Sequence, residues 1–139
     1  MTKDTIPSPP VINMTTCINA PASKVWAMLT SPALMKLWIF ETEVEVISDW
    51  RPGSPVIFRG DFHGLQYEDK GMILAFDPEK TFRYSYLSQI SKLPDEPENY
   101  SIIAFNLTTK GAQTILSLTQ RNFVTDTIYR HFYFYWLVT

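Results

Sequence analysis

From Glu41 onward, apolar and polar residues alternate with a period of two. Val44 and Val46 alternate with Glu43 and Glu45, Val56, Phe58 and Phe62 share a side with Gly60, and Phe82, Tyr84 and Tyr86 stand opposite Arg83 and Ser85. Strand side chains alternate between faces, so each segment predicts a strand with one dry and one wet face. Met72, Leu74 and Phe76 read as a further dry parity. Breaks at RPG, FHGLQYEDKG, DPEK and KLPDEPEN divide the segments into an antiparallel meander. TKGAQ, with Gly111 available for a positive φ, joins the last two runs, YSIIAFNLT and TILSLTQ.

The two ends of the chain follow a different period. A first strand is predicted over Val11 to Asn19, with Ile12, Met14 and Ile18 on one parity. Pro21 then opens a short helix, Ala22 to Leu29, carrying Val25, Trp26 and Leu29 at helical spacing. Ser31-Pro32 signals a second start, followed by the stripe Leu34, Leu37 and Trp38. In TDTIYRHFYFYWLVT, Ile128, Phe132 and Trp136 have helical spacing, although the β-branched and aromatic content also suits a strand. Two considerations predict a long helix: Thr125 or Asp126 can cap its start, and a sheet with one apolar face needs a cover. No capping residue or polar tail follows, so a longer natural helix is expected.

The 139 residues, 45% hydrophobic and 19% charged, suit one domain over residues 11–139, with the polar, proline-bearing residues 1–10 as a flexible arm. The net charge of −2, with twelve scattered Lys and Arg, provides no footprint for nucleic acid and no polybasic patch for a membrane. Cys17 is the single cysteine, which excludes an internal disulfide and a Cys-rich zinc cage. With no apolar run of signal-peptide length and none near the roughly 20 residues of a membrane span, a cytoplasmic location is expected.

The segment INAPASKVWAMLTSPALMKLW resembles the opening of the activator of Hsp90 ATPase homologue-like (AHSA1-type) branch of the START/Bet v 1-like (SRPBCC) superfamily. WRPGSPVIFRGD, DKGMILAFDPEKTFRYSY, TILSLTQRNF and Trp136 extend the resemblance over nearly everything from about Val11 onward. It implies an α+β helix-grip fold: a curved antiparallel sheet of six or seven strands, two short helices after the first strand, and a long C-terminal helix over the concave face. It also implies a deep apolar cavity, but no shared catalytic set, so fold does not choose function. Two departures stand out, Ser54-Pro55 after Gly53 in the turn and an unusually aromatic last helix.

Candidate chemistry is sparse. Arg59, Asp61 and His63 share the wet side of their strand, where cross-strand charge pairing is the expected role. Asp61 and His63 supply only two metal ligands, and PGSP lacks a nucleophile elbow, so no catalytic residue, metal or cofactor is assigned. His131 and Cys17 are read as packing or surface residues.

The inner aromatic set is more informative. Trp38, Phe58, Phe62, Tyr84, Tyr86, Phe132 and Trp136 are the candidate lining of a ligand cavity, with Tyr84, Tyr86 and Asn106 as its placed polar groups. The loop 88–99 is the candidate rim. The expected function is binding of an apolar or aromatic small molecule between the sheet and the C-terminal helix. The alternatives are a cyclase- or hydrolase-like enzyme using Tyr84, Tyr86 or His131 in that cavity, and an Hsp90-linked protein. Tyr129, Tyr133, Phe134 and Val138 cannot all face one sheet, so a homodimer contact or a client-protein surface on the last helix is a further expectation.

Overall fold

A computed structural model describes residues 11–35, 37–38, 44–62, 64–89 and 92–138. In chain order these form β1 (Ile12–Ile18), α1 (Ala22–Thr30), α2 (Pro32–Met35), β2 (Val44–Ser48), β3 (Pro55–Phe62) and β4 (Leu65–Asp77). β5 (Thr81–Tyr86), β6 (Ser101–Lys110), β7 (Gln113–Arg121) and α3 (Asp126–Val138) complete the chain. The strands make one antiparallel sheet, ordered β1-β7-β6-β5-β4-β3-β2, so the meander from β2 to β7 is closed at its far edge by the N-terminal strand. This is the predicted curved α+β arrangement. The expected arm over residues 1–10 lies outside the described residues.

Local chemistry accounts for the corners. Pro21 precedes α1, whose residues Val25, Trp26 and Leu29 turn inward. The Ser31 carbonyl accepts the N–H groups of Leu34 and Met35 to start α2. Ser54 closes the turn before β3: its hydroxyl donates to the Arg51 carbonyl at 2.6 Å and accepts the Arg51 N–H at 3.2 Å. Gly111 takes φ +61° between β6 and β7. Thr125 caps α3, its Oγ1 accepting the Ile128 N–H at 3.2 Å. The ambiguous C-terminal segment is therefore a helix, and an aromatic one.

Two sequence expectations change. Most of FHGLQYEDKG is strand rather than turn, because β4 begins at Leu65 and pairs with β3 through Leu65↔Phe62 and Tyr67↔Gly60. Met72, Leu74 and Phe76 do not share a face. Ile73 points inward opposite Tyr84, and Met72 and Leu74 are exposed. The register then shifts between Ile73 and Ala75, so Phe76 meets Phe82 on the inner side. A β-bulge adds one residue to one strand and inverts the parity beyond it.

The core lies on the inner face, where β-sheet rows run across several strands. One row is Ile12, Gln120, Ile103, Tyr84 and Ile73; the next is Met14, Leu118, Phe105, Phe82 and Phe76. Over the middle of the sheet aromatic rings fill this layer. Trp26 of α1 and Trp50 both pack on Phe76 and Phe82, Phe82 stacks on Tyr84 at 5.0 Å, and Phe58 meets Tyr86 at 5.5 Å. α3 joins the layer through two rings, Phe132 against Tyr86 and Trp136 against Phe105.

Candidate ligand cleft

The aromatic packing stops short of the β1 edge. Towards that edge the apolar inner positions are aliphatic: Met14 and Ile18 on β1, and Leu116 and Leu118 on β7. These side chains form the floor of an open cleft of about 790 Å³. The wall comes from α1 through Val25, Met28 and Leu29, extended by Leu34 of α2 and by Trp38. Trp38 is held by its indole N–H, which donates to the Met28 carbonyl at 2.7 Å, and by an edge-to-face contact with Phe105. Trp136 of α3 supplies the remaining aromatic surface. Several of these apolar residues, including Met14, Met28, Leu34 and Leu116, are only half-buried although they face inward. Their unfinished burial is the local signature of space left unfilled.

Trp136 is placed by a polar chain that runs under the helix. Its Nε1–H donates to Gln120 Oε1 at 2.6 Å; Gln120 Nε2 donates to Ser101 Oγ at 3.0 Å, and that hydroxyl reaches the Tyr86 carbonyl at 3.4 Å. Gln120 has no exposed surface, so its amide must be satisfied within the fold. A second buried group is Asp69, whose carboxylate accepts from the Tyr86 hydroxyl and from the Gln89 N–H. Burial raises the Asp69 pKa above the ordinary carboxylate value, against the lowering effect of those two donors. Burial likewise pushes Tyr84 and Tyr86 upward, with Asp69 adding to the effect at Tyr86.

The candidate lining residues separate into groups. Trp38 and Trp136 border the cleft. Phe58, Tyr84 and Tyr86 instead belong to the filled aromatic core, because rings contributed by β3, β5 and α1 pack against one another. Phe132 lies between Tyr86 and Phe123 and borders a small gap of about 20 Å³. The Phe62 side chain and His63 lie outside the described residues.

The expected polar groups are also elsewhere. Asn106 is exposed and accepts from Thr81 at 3.1 Å, while Tyr84 and Tyr86 are shut in the core. None of the described residues of the loop after β5 lines the cleft; the loop is held to β4 through the Lys70–Asp95 ion pair, and Tyr100 also bonds Asp95. His131 is exposed on α3 beside Phe132. Arg59 makes a cross-strand pair with Glu68 at 3.1 Å on the outer face, where Asp61 is also exposed. Among the described residues, no three His, Cys, Asp or Glu side chains stand together as a metal site, and no helix is long and apolar enough to cross a membrane.

Sequence reasoning missed Met14, Met28, Leu116 and Leu118. The available signal was the run of aliphatic inner positions on the first and last strands, facing a helix whose own bulkiest residue, Trp26, points towards Phe76 and Phe82.

Comparison with known proteins places this architecture. The family model of the activator of Hsp90 ATPase homolog 1-like protein matches residues 19–137. The solution structure of ChR145 from Cytophaga hutchinsonii is 36% identical and superposes with a TM-score of 0.78, over 93% of this chain and 87% of that one. Two further structures share the fold: CV1439 from Chromobacterium violaceum (20% identity, TM-score 0.73, 93% and 91% covered) and the Aha1 dimer from Colwellia psychrerythraea (23%, 0.69, 93% and 89%). No functionally curated protein matches the chain. The matched span and the similarity to ChR145 show that the chain belongs to the activator of Hsp90 ATPase homolog 1-like family.

Proposed function

We propose that the protein is a cytoplasmic binding protein for an apolar or aromatic small molecule, held in the cleft bordered by α1, α2, β1, β7 and Trp136. The observation that carries this reading is the cleft itself: about 790 Å³, with hydrocarbon and two indoles on its sides. That volume lies in the range of small-molecule sites, which bury a ligand among apolar walls and a few polar groups.

The size of the ligand follows from energetics. A single aromatic ring that hides about 200 Å² of apolar surface gains roughly 5 kcal/mol before the loss of translational freedom is counted. A one-ring compound would therefore bind weakly, and fused rings or a long hydrocarbon chain suit the cleft better.

Thermal-shift and NMR screening with fatty acids and polycyclic aromatics tests the reading. A ligand present at about a hundred times its Kd stabilises the fold by about 2.7 kcal/mol. Trp38→Ala, which strips one wall, reduces that stabilisation. If no hydrophobic compound raises the melting temperature of the wild type, the proposal fails. Product analysis on the same mixtures examines the enzymatic alternative. A homodimer contact through α3 is part of the proposal, supported by the exposed rings of Tyr133 and Phe134.

A further inference from the structure

The described lining of the cleft carries charge of one sign. Among the described residues that line it, the only ionisable side chain is Lys24, exposed on α1, and its polar neighbours in the lining are Thr15 and Thr16 of β1. Lys24 and Met28, one turn apart, both lie on the flank of α1 that borders the cleft. A lysine in such a position lays its hydrocarbon stem along apolar surface and keeps its ammonium in water. Among the described residues no carboxylate pairs with Lys24, whereas Arg59 and Lys70 each have an acidic partner.

A hydrocarbon cleft whose described lining holds one uncommitted cation and no anion discriminates among occupants. A cationic amphiphile meets an ammonium of its own sign, and a polyanion such as a nucleotide finds a single countercharge. We propose that the cleft takes a monoanionic amphiphile, a hydrocarbon chain or fused-ring body bearing one carboxylate, with the carboxylate at Lys24. This inference rests on the cleft being a binding site, and its test separates the two claims.

The probes are two acids with their neutral amides: decanoate with decanamide, and naphthalene-2-carboxylate with naphthalene-2-carboxamide. Each is titrated into isotope-labelled protein while backbone amide resonances are followed. In the wild type the acid of each pair binds roughly two- to fivefold tighter than its amide, the modest range set by an exposed charge pair. Added salt narrows the gap, Lys24→Met closes it, and Lys24→Arg retains it. Equal binding of acid and amide by the wild type, or a gap that survives in Lys24→Met, overturns the anion assignment and leaves the cleft as a binding site. Failure of all four compounds to shift cleft resonances overturns both.

Discussion

Besides the ring contacts of Phe132 and Trp136, one buried amide ties α3 to the sheet, and its contribution can be measured. Gln120 accepts the Trp136 indole N–H at 2.6 Å and donates to Ser101 at 3.0 Å, from a position with no exposed surface. Gln120→Met keeps the length and approximate volume of the side chain and removes both bonds. A stranded buried donor costs about 1–3 kcal/mol. Trp136 is half-buried, which places its share at the lower end, and removing a buried amide recovers part of the desolvation penalty. The net destabilisation expected for Gln120→Met is therefore about 1–2 kcal/mol. Trp136→Phe loses the same bond and some apolar contact with Phe105, for a comparable effect. Because one bond is deleted in both variants, the double variant should cost about 1 kcal/mol less than the sum of the two. Urea unfolding followed by far-ultraviolet circular dichroism measures all three, with the midpoint shifting at constant slope. Additivity within about 0.3–0.5 kcal/mol would refute the claim that this bond ties α3 to β7.

Two further predictions concern β4. A Cβ on Gly71 would stand 1.6 Å from the Ser85 carbonyl oxygen, so Gly71→Ala must force β4 and β5 apart. A destabilisation of at least about 3 kcal/mol is expected, and a wild-type melting temperature would contradict it. Asp69 binds its proton more tightly in the fold than in the unfolded chain, because burial raises its pKa. Its contribution to stability is therefore greatest below the ordinary carboxylate value and declines as pH rises towards the folded pKa. Asp69→Asn should flatten that decline in an unfolding series across mildly acidic pH; an unchanged slope would mean that another group is responsible.

The sequence made the element order readable because each element had its own local signal. Pro21 and Ser31-Pro32 marked helix starts, Thr125 offered a cap, and alternation marked the strands. The parity of β4 was harder to read. The inner residues Tyr67, Asp69, Gly71 and Ile73 are mixed in polarity, while Met72 and Leu74 look like core residues but face outward. Periodicity cannot find a carboxylate that faces inward, nor the bulge that restores Phe76 to the inner side. Asp69 is tolerated there because Tyr86 and Gln89 supply its hydrogen bonds, a pairing across strands that no local pattern shows.

Of the expected lining residues Trp38 and Trp136 border the cleft, and packing explains why Phe58, Tyr84 and Tyr86 do not. Inward-facing aromatic residues can line a cavity, but large residues are also the ones that fill space. Along β5, Phe82, Tyr84 and Tyr86 stand on one face with Phe58 beside them and Trp26 and Trp50 above, and rings so close leave no room for a guest. The room lies one sheet-edge away, where the Phe82 row ends in Leu118 and Met14, Leu116 stands in the row beyond, and the only rings among the described lining residues are Trp38, Phe105 and Trp136. A void in a grip of this kind falls where the inner rows change from aromatic to aliphatic, because α1 and α3 are held at a distance set by the rings and smaller side chains cannot reach across it. On that argument, Leu118→Phe should partly fill the cleft and weaken ligand stabilisation while leaving the fold intact. A substitution that instead unfolds the protein would show that the space is already occupied by packed atoms.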